Sequence, residues 1–280
     1  MSTTQTVSGP LSKMPAILDK SNTVEYTLKL GDHHIALNAQ LGTRISLRHL
    51  GAINCSHCGR KTNKSFSQGY CYPCFKALPQ CDLCMMSPER CHFDAGTCRD
   101  PEWAQGFCMS DHIVYLAKSS NAKVGITRVN QVPTRWIDQG AVAALPFFRV
   151  ATRQQSGLLE DKLRQYIADK TNWRAMLKGE VADVDLPELA EQLRQQCADE
   201  IAALTAEFGL QAIQPIETAA LQQIIYPVLE YPSKIKTFNF DKDPLIEGTL
   251  MGIKGQYLLL DTGVVNIRKF SAYEVAVSFT

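Results

Sequence analysis

Hydrophobic and polar residues alternate through Val24-Glu25-Tyr26-Thr27-Leu28-Lys29-Leu30, as a half-buried strand requires. Gly31-Asp32 can turn the chain into a second strand, His34–Leu37, and Arg44-Ile45-Ser46-Leu47 repeats the alternation. Residues 24–48 are therefore expected to form a small β-meander. Between Cys55 and His112 the periodicity stops and apolar residues become sparse. It resumes in Ile113–Lys118 and Lys123–Arg128, two short strands separated by a hairpin loop, Ser119-Ser120-Asn121-Ala122. Pro133 suits the first turn of a short helix carrying Arg135, Trp136 and Ile137 and closed by Gly140, and Leu145–Val150 reads as a third strand.

Leu158, Leu159, Leu163, Tyr166 and Ile167 recur at helical spacing, which predicts an amphipathic helix over 157–168. Asp185-Leu186-Pro187-Glu188 has the form of a helix start. Leu189, Leu193, Cys197, Ile201, Leu204 and Phe208 then form one stripe that ends at Gly209, with Cys197 as a core thiol. Trp136 and Trp173 read as packing residues, and Asn172 as a residue that either approaches the hairpin or caps a helix. Toward the C-terminus, Gly248–Ile253, Gln256–Leu260, Val264–Arg268 and Tyr273–Phe279 are short strands broken by Lys254-Gly255 and Asp261-Thr262-Gly263. The fold class expected is α+β. It comprises a zinc-ribbon region, a small antiparallel sheet with flanking helices, and a small β-barrel or curled sheet at the C-terminus. The corresponding divisions are 1–50, 51–111, 112–180 and 181–280, the first free to pair with the last.

The unpatterned stretch holds nine of the ten cysteines. Residues 1–22 lack a basic segment followed by an apolar one, and no run approaches the roughly 18 apolar residues of a membrane span. A cytoplasmic location is expected, where closely spaced thiols serve as metal ligands more often than as disulfides. Cys55-x-x-Cys58 followed by Cys71-x-x-Cys74 has zinc-ribbon spacing, in which two tight turns present four thiolates to a tetrahedral ion. His57, inside the first turn, is a bystander. Cys81-x-x-Cys84 is a third knuckle needing two more ligands from Cys91, His92, Cys98, Cys108 and His112. Cys98 and Cys108 would complete a second site of four sulfurs. Cys91 with His92 would give a more local one, and a cross-braced pairing is a further alternative. Two structural zinc ions follow from this reading, and metal is what could fold a region so poor in apolar residues.

The formal net charge of +1 gives no global signature of nucleic-acid binding, so any such surface has to be local. Arg60, Lys61 and Lys64 lie near Phe66, Tyr70, Tyr72 and Phe75. Lys118, Lys123 and Arg128 belong to the hairpin, and Arg149, Arg153, Lys162 and Arg164 follow it. Cations interleaved with aromatics can track phosphates and stack bases.

His112-Ile113-Val114-Tyr115-Leu116-Ala117, a short loop, Lys123-Val124-Gly125-Ile126-Thr127-Arg128, then Arg135 and Glu160, resembles a diverged GIY-YIG nuclease module over about residues 112–175. The tyrosine of the first motif is kept as Tyr115 without its leading glycine, and Lys123 stands where the second motif has a tyrosine. The resemblance implies a two-strand hairpin, an arginine on the next helix and a glutamate on a later helix that binds Mg²⁺ or another divalent cation. It assigns catalytic roles to Tyr115, Lys123, Arg135 and Glu160. Tyr115 would be the base or orient water, with Lys123 as its cationic neighbour or a phosphate contact. Arg135 would stabilise charge, and Glu160 would hold the ion. The chain, with the phrases RWIDQGA and CRDPEW, also resembles an uncharacterised bacterial family of unknown function, which implies no activity. The function expected is a zinc-binding protein that engages nucleic acid, DNA or RNA, and cleaves phosphodiesters in a metal-dependent way. The competing expectations are a non-catalytic module binding nucleic acid or a protein partner, and a thiol redox or metal-handling protein. No membrane partner is expected.

Overall fold

The computed structural model describes residues 6–167 and 171–280 and has the α+β class read from the sequence. Both ends of the chain share one antiparallel sheet. Its strand order is Thr6–Pro10, Tyr273–Phe279, Arg44–Ile53, Leu245–Lys254, Tyr257–Leu260 and Gly263–Asn266. Leu47 pairs with Val277 on one side and Ile246 on the other, so the third expected strand of the N-terminal meander belongs to the C-terminal sheet. The sheet is open rather than a closed barrel. Residues 54–244 leave from one of its strands and return at the neighbouring one. The first two meander strands, Val24–Leu30 and His33–Ala36, form a separate three-stranded sheet with Ala16–Leu18.

Between these ends stands a second antiparallel sheet in the order Gln222–Gln223, Ala143–Val150, His112–Lys118 and Ala122–Arg128, with Ile213–Pro215 also paired to Ala143–Val150. The His112–Lys118 strand is buried on both faces, and its alternation sorts two cores. Ile113, Tyr115 and Ala117 join Trp136, Ile137 and the inner face of the terminal sheet. Val114 and Leu116 join Phe148, Leu159, Leu163, Leu193 and Cys197 beneath the helices. Period two is thus present where both faces are apolar, and only the packing distinguishes them.

Helix boundaries follow side-chain chemistry that the apolar stripe does not report. The helix expected at 157–168 runs from Arg153 to Leu163, because Thr152 and Gln155 form a reciprocal capping box four residues earlier; residue 168 lies outside the described residues. The long stripe after Asp185 is divided into Leu186–Gln196 and Ala198–Phe208, which meet at the fully buried Cys197. Asp185 caps the first through the Glu188 amide, and Asn172 caps a short helix, Trp173–Leu177, through the Ala175 amide. The helix Thr134–Asp138 that follows Pro133 is pinned at its end: Asp138 pairs with Lys13 at 2.5 Å and accepts a hydrogen bond from Gln256 at 3.0 Å.

In the hairpin, Tyr115 faces Gly125 across the strand pair, and a Cβ at Gly125 would lie 2.7 Å from the phenol ring. Gly125→Ala should destabilise the protein by about 1–3 kcal/mol by overpacking. Urea unfolding checks this, and a smaller residue at Tyr115 in the same chain should return part of the loss.

Candidate functional site

The candidate site residues fall in two groups, the cysteine loops and the face of the hairpin at Tyr115. In the first loop Cys55 follows the Arg44–Ile53 strand, and the tight turn is closed by hydrogen bonds from the Gly59 amide to the Cys55 carbonyl and from the Cys55 amide to the Arg60 carbonyl, each 2.9 Å. Cys71 precedes a helix, Tyr72–Ala77, that carries Cys74. The sulfurs of Cys55, Cys58, Cys71 and Cys74 all lie within 4.8 Å of one another, and Cys58 and Cys71 are 3.7 Å apart. A tetrahedron with Zn–S bonds of about 2.3 Å separates its sulfurs by about 3.8 Å, so the spacing fits zinc. Burial disfavours the Cys55 thiolate, but the amides of Cys58, Cys71 and His57 point at the sulfur and bring its pKa down to about 6. Cys74 is raised, first by burial and then by its three neighbouring thiols. Four thiols this close cannot all ionise without a cation, which is what a zinc ion supplies. His57 is exposed and outside the group.

The third knuckle behaves differently. Cys81 ends one 3₁₀ turn, Pro79–Cys81, and Cys84 sits in the next, Leu83–Met85, so the two thiols diverge. Cys81 interacts with Ser67 and lies toward Cys55. Of the residues expected to form a second site, Cys84, Cys98 and Cys108 line one small cavity together with Cys91 and His92, whereas Cys81 and His112 are not in its wall. One oxygen of Asp82, the Cys84 sulfur and one His92 nitrogen are also mutually within 4.8 Å. His112 is wholly buried. Its Nδ1 donates to the Ser110 carbonyl at 2.6 Å, and burial pushes its pKa down to about 4.

At the hairpin, Tyr115, Gly125 and Lys123 share one sheet face, since Tyr115 pairs with Gly125 and Ala117 with Lys123. Tyr115 is 0% exposed, packs against Trp136 with ring centroids 5.8 Å apart, and donates its hydroxyl to Gln139 Oε1 at 2.9 Å. Burial drives its pKa up to about 12. Arg135, within hydrogen-bonding reach of the phenol, opposes this, and the Glu160 carboxylate adds to it. Tyr115, Arg135 and Glu160 are thus within electrostatic range of one another although they come from a strand and two helices. Lys123 is buried on the same sheet face, and Glu160 stands at the margin of the helix face that packs Leu159 and Leu163. At neutral pH the phenol keeps its proton, which does not suit it to abstracting one.

Sequence reasoning did not single out Gln139, the acceptor that fixes Tyr115. Arg153, which it placed among the phosphate-tracking cations, instead lies close to both Glu160 and Arg135. Several cations expected to track phosphate, Arg153 among them, serve the fold. Arg149 pairs with Asp111, Arg128 covers the Phe107 ring at 3.9 Å, Lys118 bonds the Val184 carbonyl, and Arg153 bonds the Met85 carbonyl at 2.8 Å. On the first cysteine loop, by contrast, Arg60, Lys61 and Lys64 are exposed, and Lys64 lies over the Phe66 ring, which clusters with Tyr72 and Phe75. No helix among the described residues is long and apolar enough to cross a membrane.

Purified protein should carry zinc bound by the first four thiols. Cys58→Ser should remove one equivalent by elemental analysis and expose residues 55–78 to protease.

Neither a curated protein nor a solved structure matches the chain. A family model described as Protein of unknown function (DUF2797) matches residues 42–275, from the shared strand of the terminal sheet to its last one. That match spans the cysteine loops and the Tyr115 hairpin alike, and the chain belongs to this family of unknown function.

Proposed function

We propose that this is a cytoplasmic, zinc-braced nucleic-acid-binding protein whose hairpin module cleaves phosphodiester bonds with a divalent cation. The observation that carries the reading is the convergence of Tyr115, Arg135 and Glu160 within one electrostatic neighbourhood, from three separate elements in the order the GIY-YIG resemblance implies. Phosphodiester cleavage needs an oriented water, a cation facing the phosphorus and a metal on the scissile oxygens. In this assignment Tyr115 orients the water, Arg135 faces developing charge, Lys123 contacts phosphate, and Glu160 is the residue that would hold Mg²⁺ or a similar ion. That ion would polarise the phosphate oxygens. The exposed cations and rings of the first cysteine loop supply a platform for the strand outside the centre. Ten cysteines free of disulfides among the described residues suit the reducing cytoplasm.

A second reading is favoured by one observation, the complete burial of Tyr115 beneath Gln139 and Trp136. In it the same surface grips nucleic acid without cutting it, and the zinc is purely structural.

The test is nicking of plasmid DNA and of single-stranded RNA with Mg²⁺ or Mn²⁺. Glu160→Gln and Arg135→Ala should each cut the rate by about 100-fold or more, with zinc content and circular dichroism unchanged. Salt-sensitive binding with no cleavage under any divalent ion would select the second reading, and absence of binding would refute both. With the Tyr115 pKa near 12, the wild-type rate should show no inflection from this phenol below about pH 10, and Tyr115→Phe should lower the rate without altering the pH profile there.

A further inference from the structure

The cavity beyond the third knuckle is enclosed by Cys84, Cys91, Cys98 and Cys108, with Trp103 and Met85 over it, and its volume of about 20 Å³ is close to that of a single water-sized sphere. All four cysteines line this space, and the ligand atoms there that lie mutually within 4.8 Å among the described residues are those of Asp82, Cys84 and His92. The competing ligands in the wall have other partners. Asp82 holds Arg99 at 2.6 Å, and Arg99 bonds the Leu78 carbonyl at 3.1 Å, while His92 Nδ1 meets the Thr97 hydroxyl at 2.8 Å. His92 Nε2 faces Asp82 at 3.6 Å. Together they read as the polar support around a sulfur site rather than as its ligands.

We infer that Cys84, Cys91, Cys98 and Cys108 form a second zinc site, and that this site positions the helix Arg153–Leu163 that carries Glu160. The coupling is direct. The Arg153 amide, at the first turn of that helix, donates to the Cys108 carbonyl at 2.8 Å, the Arg153 guanidinium donates to the Met85 carbonyl, and the Gln154 side-chain amide donates to the Cys91 carbonyl at 3.4 Å. Gly157 of the same helix lies so near the cysteine loop that a Cβ there would stand 2.6 Å from the Glu89 amide nitrogen and Pro88. Three of the loop's backbone carbonyls therefore hold the first turn of the helix, one of them belonging to Cys91 and one to Cys108. A metal that fixes those two cysteines fixes the helix as well.

The inference does not depend on the nuclease reading, because its readout is metal content and helix protection rather than cleavage. Wild-type protein should hold two zinc ions per chain, with a sulfur-only first shell by zinc X-ray absorption. Cys91→Ser and Cys98→Ser should each hold one, whereas Cys81→Ser and His92→Ala should keep two. Hydrogen exchange in Arg153–Leu163 should quicken in Cys91→Ser and stay at the wild-type rate in His92→Ala. One zinc per wild-type chain, a nitrogen or oxygen neighbour in its shell, or two zinc ions retained by Cys91→Ser would overturn the site. Loss of zinc with unchanged exchange in that helix would overturn its positioning role. The absorption measurement needs only wild-type protein, so it decides even if a serine variant fails to fold.

Discussion

Folding a stretch of chain costs conformational entropy, and a stretch that buries little apolar surface has to recover that cost by other means. None of residues 55–112 belongs to any of the three hydrophobic clusters of this protein, although Ile53 and Ile113 on either side do. What the stretch does bury is sulfur: Cys55, Cys71, Cys81 and Cys108 are among its few inaccessible residues. A zinc–thiolate site contributes its binding free energy to folding, on the order of 10–16 kcal/mol in small domains. That is large against the stability of a whole domain, about 5–15 kcal/mol. The four converging thiols of the first loop are placed to supply such a site.

Their placement gives the brace a direction. The first loop docks on the terminal sheet through Asn54 to Ala272 and Ser65 to Ser271, and the second lies against the helix that bears Glu160. The Arg135 helix is held at its end by Asp138, which bonds Lys13, just past the first strand, and Gln256, between two strands of the terminal sheet. Tyr115, Arg135 and Glu160 thus hang on three supports, each with its own polar anchor. The mutual geometry of these three side chains is only as firm as those anchors.

The sequence was most legible where period and chemistry coincide. The hairpin strands, Tyr273–Phe279 and the first cysteine set are readable because alternation or ligand spacing is the very property that folds them. Where local rules leave a choice, tertiary packing decides. The short strands Thr6–Pro10 and Ala16–Leu18 exist because longer strands offer them edges, which no local period reports. Cys81 and Cys84 have knuckle spacing, yet two successive 3₁₀ turns send them apart, and Cys91 faces the cavity of Cys84, Cys98 and Cys108. A sequence signal for that set did exist, since Cys84, Cys91 and Cys98 recur every seven residues. The alternation of its strand allows Tyr115 as a core aromatic, but its bond to Gln139 was not legible, because Gln139 reaches the phenol only through the turn of the Arg135 helix.

The central claim is that metal, not apolar burial, holds the cysteine region in place between the terminal sheet and the Glu160 helix. Crystals of the purified protein, measured on both sides of the zinc absorption edge, test it most directly. The account predicts two anomalous peaks, one among Cys55, Cys58, Cys71 and Cys74 and one in the cavity of Cys84, Cys91, Cys98 and Cys108. An ordered cysteine region with no anomalous peak, or with its thiols joined as disulfides, would contradict it.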